Sequence, residues 1–153
     1  MNISIHNYLP HTEPMLMVDQ ILQISQNEVI TSFKITTDTI LVNDGYFSEV
    51  GLIENAAQTC SAISGQFHFD GQNSKNSEIH PSVLGYISSI KKLIIHQLPA
   101  IDTIITSKAN LLSQTQGNNF SICLFKVAVY HNDTLFLEGE MNLFLENIVD
   151  EKK

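Results

Sequence analysis

The chain has 153 residues, of which 43% are hydrophobic and 16% are charged, so it can bury one core and is not expected to be disordered. Eight lysines and arginines stand against 16 aspartates and glutamates, a net charge of −8 at pH 7. A surface this acidic repels phosphate backbones, which makes nucleic acid an unexpected partner.

Several features of the sequence predict a cytoplasmic protein. Cys60 and Cys123 stand in apolar surroundings without a CxxC pattern, which predicts a reduced, structural pair. The first ten residues show no basic segment followed by an apolar run, so no signal peptide is predicted. No apolar run approaches the roughly 20 residues that a membrane helix needs. With no repeat or linker in view, residues 1–153 are predicted to form a single domain.

The first half of the chain predicts a hairpin. Met15–Ile24 is apolar and about as long as a strand, and Glu28–Thr36 alternates between apolar and polar side chains. Asn27 lies between them and can turn the chain. The following segment, Thr37–Gly45, is polar and is interpreted as a connection without regular structure.

A long helix is predicted next, over about Ser48 to Phe67, with Ser48 as its N-cap. Apolar residues recur at helical spacing, beginning with Val50 and Ile53. Small residues fill its middle, so the helix can lie very close to whatever covers it. The polar segment Asp70–Ser77 is predicted to be a loop.

After Pro81 the chain predicts strands to its end, separated by turn-forming residues. The order of strand, strand, long helix and four further strands favours an α+β fold with an antiparallel sheet. The four later strands are expected at Val83–Ile95, Ile101–Leu112, Phe120–Tyr130 and Thr134–Leu145.

Four segments, in this order, resemble the 3-hydroxyacyl-(acyl-carrier-protein) dehydratases. Leu9–Asp19 is similar to the opening of those enzymes, and Val50–Gln58 is similar to their central helix. Gly85–Lys92 and Glu138–Leu145 resemble two of their strands. The resemblance implies a hotdog fold, in which a curved antiparallel sheet of five or six strands wraps a long helix. It also implies a dimer with the acyl tunnel at the subunit interface.

One departure from that family concerns a catalytic histidine. The dehydratases carry a His-Phe-Pro loop shortly before the helix, whereas Leu41–Glu49 is shorter here and contains no histidine. The shortened loop resembles a divergent branch that accompanies type II polyketide machinery for aryl-polyene and flexirubin-like pigments. That branch implies dehydration of a carrier-bound 3-hydroxyacyl chain.

The resemblance places the catalytic carboxylate of the family on Glu54. Dehydration needs a base at C2 and an acid at the C3 hydroxyl, and Glu54 is predicted to act as one of them. His11 is the predicted substitute for the missing acid. Gln58 lies one helical turn from Glu54 and is predicted to hold the carboxylate or the thioester oxygen. Gly51, at the helix N-terminus, and Asp44, where the lost histidine would stand, are predicted to contact substrate, although Asp44-Gly45 also has the chemistry of a turn.

The expected partner is acyl carrier protein or a coenzyme A thioester, and the protein is expected to be a homodimer or a heterodimer with a homologue. An acidic carrier would need a basic patch on this acidic chain. The lysines available for one are Lys34, Lys91, Lys92, Lys108 and Lys126. No histidine or cysteine pair has metal-ligand spacing and no glycine-rich phosphate loop is present, so neither a metal nor a cofactor is expected.

Two alternatives remain open on the sequence alone. Some hotdog hydrolases use a single helix carboxylate, so Glu54 would also serve a thioesterase. A subunit that lost its histidine could instead bind acyl chains without catalysis and assist an active homologue.

Overall fold

A computed structural model describes residues 3–70 and 82–148, with the side chains of residues 3–64 and 85–146. One long helix, α1, spans Glu49–Asp70. Before it come a short 3-10 helix at Ile5–Asn7 and four strands: β1 Gln20–Ile24, β2 Glu28–Lys34, β3 Val42–Asn43 and β4 Tyr46–Phe47. After it come β5 Ser82–Ile95, β6 Ile104–Gln116, β7 Phe120–His131 and β8 Thr134–Ile148.

The sheet has six strands in the order β1-β2-β6-β7-β8-β5, and every neighbouring pair is antiparallel. Helix α1 lies across one face and contacts β2, β5, β6, β7 and β8. The predicted hairpin, the long helix and the four later strands are therefore confirmed. This helix-on-sheet arrangement is the α+β architecture that the resemblance implies.

The strands present apolar side chains to α1 on alternate positions, as antiparallel strands with one covered face do. Val29, Ile105, Phe125 and Leu137 are fully or almost fully buried there. Helix α1 meets them with small side chains, notably Ala56 and Cys60, which let it approach the sheet closely. The predicted reason for its small residues is confirmed by this contact.

Three predictions about local structure need correction. Thr37–Gly45 contains strand β3, which forms a two-stranded hairpin with β4. Asp44 and Gly45 join them with φ of 52° and 83°, the conformation of a two-residue type I′ turn, so the turn chemistry was recognised and the strands were not. Val50 was assigned to the apolar side of the helix, but it is 62% exposed and Leu52 lies in the core instead.

The first sheet strand begins at Gln20, later than the predicted Met15. Residues 15–18 leave the sheet and pass along α1, with Leu16, Met17 and Val18 buried. The predicted N-cap is confirmed, because Ser48 Oγ accepts a hydrogen bond from the Gly51 amide at 3.2 Å. The part of the predicted polar loop beyond Asp70 lies outside the described residues.

Gly139 lets two strands come together without a side chain between them. A Cβ at this position of β8 would collide with the Lys92 carbonyl oxygen and would lie 2.8 Å from Leu93 Cα, both in the backbone of β5. Gly85, on the opposite strand of the same pair, differs. Its added Cβ would meet only the flexible end of Leu145, at 3.1 Å.

We therefore expect Gly139→Ala to lower the free energy of unfolding by at least about 2 kcal/mol, because backbone atoms of β5 would have to shift. Gly85→Ala is the matched control in the same strand pair and should have a smaller effect. Urea unfolding followed by circular dichroism measures both. Equal losses would show that the close approach of β5 and β8 does not constrain the sheet at Gly139.

Candidate active site

A cavity of about 520 Å³ lies between α1, the segment before β1, and strands β5 and β8. Its size is typical of a site for a small organic ligand. Glu54 and Gln58 line it from the helix, and His11 lines it from the segment before β1. The opposite wall is apolar and includes Ile87, Leu143 and Leu145. The structure thus brings together three of the five residues that the sequence predicts for the site.

Gln58 is fully engaged by hydrogen bonds and is only 1% exposed. Its Oε1 accepts from the Met17 amide at 2.7 Å, and its Nε2 donates to the Met15 carbonyl oxygen at 2.8 Å. The second hydrogen of Nε2 goes to Glu54 Oε1 at 2.9 Å. Because both amide hydrogens are used, Gln58 orients the Glu54 carboxylate and binds the segment before β1. This geometry supports its predicted role of holding the carboxylate.

Asn55 makes the second contact between α1 and that segment. Its Nδ2 donates to the Met17 carbonyl oxygen at 2.7 Å, and its Oδ1 accepts from Ser107 Oγ on β6 at 2.6 Å. Asn55 and Ser107 are fully buried. Both backbone polar groups of Met17 therefore bind side chains of α1. In a sheet, the backbone of a neighbouring strand would have supplied these partners.

His11 is half-buried on the same cavity as Glu54. Its Nδ1 is inaccessible to solvent and has no hydrogen-bond partner in the structure. Burial lowers the pKa of His11 below its ordinary value of 6.5, and the negative charge of Glu54 opposes that shift. The imidazole is therefore neutral at pH 7 and can accept a proton.

Asp44 and Gly51 do not line this cavity. Asp44 is exposed in the turn between β3 and β4. Gly51 is buried against Phe47, whose ring would lie 2.5 Å from an added Cβ, and its amide hydrogen is already donated to Ser48. Their predicted contacts with substrate stay predictions, and within this chain the geometry gives both residues structural roles.

Sequence reasoning missed three polar residues of the cavity: Tyr8, Ser61 and Tyr86. Ser61 follows Glu54 by two helical turns, so the helical period from Glu54 could have identified it. Its hydroxyl donates to the Gln58 carbonyl oxygen at 2.9 Å. Tyr8 precedes the Leu-Pro-His tripeptide, and Tyr86 lies within the strand segment that resembles the dehydratases.

Three of the lysines that the sequence offers for an acidic partner lie beside carboxylates. Lys126 on β7 stands opposite Glu140, and Glu140 in turn stands opposite Lys92 on β5. Lys108 lies 3.3 Å from a carboxylate oxygen of Glu28. Opposite charges therefore alternate across the outer face of the sheet.

Other predicted features concern cysteines, metals and membranes. Cys60 and Cys123 are unpaired and buried, and burial raises the pKa of both thiols. Within residues 3–70 and 82–148, no three His, Cys, Asp or Glu side chains are grouped as a metal ion would require. In the same part of the chain, no helix is long and apolar enough to cross a membrane. The expected absence of a metal and of a cofactor stays a prediction.

Comparisons with known proteins give a family match over almost the whole chain. A family model for ApeP-like proteins, described as ApeP dehydratase, matches residues 3–152. A curated relative is the 3-hydroxyacyl-(acyl-carrier-protein) dehydratase FabZ of Teredinibacter turnerae, with 33% identity over 67 residues. That alignment covers 40% of this chain and 46% of the relative, so the chain spans less than half of the length of the enzyme it matches.

Among solved structures, the dehydratase heterocomplex ApeI:P from Xenorhabdus doucetiae has a TM-score of 0.77 at 20% identity, covering 98% of this chain and 94% of that chain. A hypothetical thioesterase with coenzyme A from Streptococcus pneumoniae has a TM-score of 0.59 at 13% identity, covering 84% and 85%. At these identities the likeness concerns the fold, and it confirms the predicted hotdog architecture.

The electrostatic effect of Glu54 on His11 leads to a prediction about titration. Glu54→Gln removes the negative charge that raises the pKa of His11 and leaves the desolvation that lowers it, so we expect this pKa to fall further. Titration of the imidazole protons by NMR measures the change. Glu49→Gln, an exposed carboxylate in the first turn of α1, is the control and should leave the pKa of His11 in place. An unchanged pKa in Glu54→Gln would show that Glu54 exerts no field on His11.

Proposed function

The chain belongs to the ApeP-like family of dehydratases, and from this membership we propose that it removes water from a 3-hydroxyacyl thioester on acyl carrier protein, in polyene or fatty-acid type synthesis. The observation that carries the proposal is the placement of Glu54 and His11 on one cavity. Elimination across the C2–C3 bond needs a group that takes a proton and a group that returns one, both within reach of the same substrate.

The protonation states of His11 and Glu54 indicate a different role for each in the elimination. The neutral imidazole of His11 takes the C2 proton, and the thioester carbonyl carries the resulting negative charge. The carboxylate of Glu54, held by Gln58, attracts the imidazolium that forms. The imidazolium then gives its proton to the C3 hydroxyl, which leaves as water, and His11 is neutral again. His11 thus takes the place of the missing loop histidine, as base first and as acid second.

The walls of the cavity fit an acyl chain. Ala57, Leu143 and Leu145 supply apolar surface, and removing a hydrocarbon chain from water contributes about 25 cal/mol per Å² of surface buried. Glu54, His11 and Gln58 supply the polar groups at one region of the cavity. This division suits a ligand with a polar thioester head and an apolar tail.

We further propose that the working unit is a dimer formed along β5. This edge strand has 14 residues and exposes Tyr86, Ile90 and Ile94 to solvent, whereas the other edge strand, β1, has only 5 residues. Long, exposed edge strands usually pair with another chain. Gly85, Tyr86 and Ile87 of β5 also line the cavity, so a partner strand there would lie beside the site. A second copy is the first candidate, and a homologous subunit is the second, because one structural neighbour is a dehydratase heterocomplex.

The cytoplasm is the compartment that this proposal implies, and two buried, unpaired cysteines suit its reducing conditions. Acyl carrier protein and coenzyme A present the same thioester, so an assay with each carrier distinguishes them. Thioesterase activity and acyl binding without turnover are the competing outcomes of that assay.

We expect purified protein to interconvert 3-hydroxyacyl and enoyl thioesters, which mass spectrometry detects as the loss or gain of one water. Glu54→Gln and His11→Asn should each lower kcat by about 10²–10⁴-fold, because His11 transfers the proton and Glu54 stabilises the imidazolium that forms. Circular dichroism checks that the fold is retained. Glu49→Gln is the control, and Asp44→Asn tests the predicted contact in the turn.

The pH profile separates the two possible roles of His11. As a base, His11 must be neutral, so kcat/KM should rise as pH increases through its lowered pKa, below 6.5, and stay level up to neutral pH. A rate that falls over the same interval would assign His11 as the acid alone. Release of free acid would identify a thioesterase, and binding without turnover would identify a non-catalytic subunit. Turnover unchanged in Glu54→Gln would refute the assignment of Glu54.

Light scattering at micromolar concentration should report a dimer. Ile90→Lys adds a further lysine to β5, next to Lys91, and should weaken the dimer, because charged side chains on an edge discourage pairing. Leu22→Lys is the matched control, since Leu22 is an exposed apolar residue on the opposite edge strand. A monomeric wild type, or equal weakening by both substitutions, would contradict pairing through β5.

A further inference from the structure

We propose that Ser107 and Asn55 are positioning residues for the Glu54 carboxylate, acting from the far side of the core through the Met17 backbone and Gln58. This inference rests on the proposed function, in which Glu54 attracts the protonated form of His11. Ser107 lies on β6 and does not line the cavity, so it cannot act by touching substrate.

A continuous series of donors connects the two ends. Ser107 Oγ donates to Asn55 Oδ1 at 2.6 Å, and Asn55 Nδ2 donates to the Met17 carbonyl oxygen at 2.7 Å. The Met17 amide donates to Gln58 Oε1 at 2.7 Å, and Gln58 Nε2 donates to Glu54 Oε1 at 2.9 Å. Every donor points toward the carboxylate, and no step is reversed.

The environment strengthens this series. Ser107, Asn55 and Met17 have no exposed surface, and Gln58 has almost none. Each of these bonds has little competition from water, so it fixes the position of the groups that it joins. The carbonyl oxygen and the amide of Met17 belong to different peptide groups, so the constraint passes from Asn55 to Gln58 through the position of the Met17 backbone. The Met17 carbonyl oxygen can only accept, so it fixes the Asn55 amide with Nδ2 toward it and Oδ1 toward Ser107, whose hydroxyl then donates to that oxygen.

Loss of the Ser107 hydroxyl would therefore act on the site in two ways. Asn55 Oδ1 would be left buried without a partner, which favours rotation of the amide or displacement of Asn55. The Met17 carbonyl would then lose its donor, and Gln58 would have to supply the hydrogen bonds that connect this segment to α1. Both the carboxylate and the imidazole would lose part of their fixed geometry.

The chain contains a matched control for this role. Thr31 on β2 lies directly opposite Ser107 in the register of the sheet. It too is fully buried and connects the sheet to α1, through a hydrogen bond of 2.8 Å between Thr31 Oγ1 and Thr59 Oγ1. That bond does not lead to Glu54. The two hydroxyls thus lie on neighbouring strands, are equally buried and both bind side chains of α1. They differ because only Ser107 is connected to the site.

The experiment compares Ser107→Ala, Ser107→Thr and Thr31→Val in the full-length protein. We expect Ser107→Ala to lower kcat for dehydration by about 10- to 100-fold with little change in KM, because it disturbs the placement of catalytic groups. Ser107→Thr keeps the hydroxyl and should recover most of the activity. Thr31→Val should lose comparable stability and keep kcat near that of the wild type.

Hydrogen exchange at the Met17 amide provides a measurement that does not depend on activity. Exchange should accelerate in Ser107→Ala by more than the change in global stability explains, and it should not do so in Thr31→Val. If the wild type proves to lack dehydratase activity, the proposed function fails while this measurement still decides the positioning role. A drop in kcat in Thr31→Val equal to that in Ser107→Ala, or unaltered Met17 exchange in Ser107→Ala, would overturn the proposal.

Discussion

Two side-chain amides of the central helix replace a missing strand partner, and the candidate site depends on that replacement. Residues 15–18 leave the sheet, so their buried backbone groups need partners that no neighbouring strand supplies. Gln58 and Asn55 bind the amide and the carbonyl oxygen of Met17, and Gln58 also binds the Met15 carbonyl oxygen. Because an unsatisfied buried polar group costs about 1–3 kcal/mol, these contacts determine where the segment lies. His11 lies four residues before Met15, so the contacts that fix residues 15–18 also limit where His11 can lie on the cavity.

The sequence was sufficient for the elements whose identity depends on local pattern. The small residues of α1 and the apolar strands after Pro81 identified the layers, and the four family-like segments predicted site residues of which Glu54 and Gln58 line the cavity. Val50 was misassigned because helical spacing defines a stripe but not which edge of the stripe meets the sheet. Strands β3 and β4 were missed because two residues are too few for alternation to be visible. Asn55 and Ser107 are 52 residues apart, and no local signal connects an amide on a helix with a hydroxyl on a strand.

The position of the cavity at the edge of the sheet connects the chemistry with assembly. One wall consists of β5, whose outer edge has no neighbouring strand in the described part of the chain. Gly139 brings β8 against the backbone of β5, so the strand that borders the cavity is held closely on its inner side. A partner that pairs with its outer edge would therefore meet a strand already fixed in place. Assembly then changes the environment of the cavity without rebuilding Glu54 or Gln58, which are fixed by contacts within the chain.

The shortened connection before α1 contains no histidine. If the proposed reaction uses a histidine, another segment has to supply it. Asp44 and Gly45 form the whole turn between β3 and β4, and Ser48 already caps the helix, so no residue is left to extend toward the cavity. The segment before β1 lines the cavity and brings His11 to it. Elimination requires a basic group near C2 and places no condition on the segment that supplies it. The amide contacts at Met17 meet the remaining condition, which is a fixed position, because they bind that segment to the helix that carries Glu54.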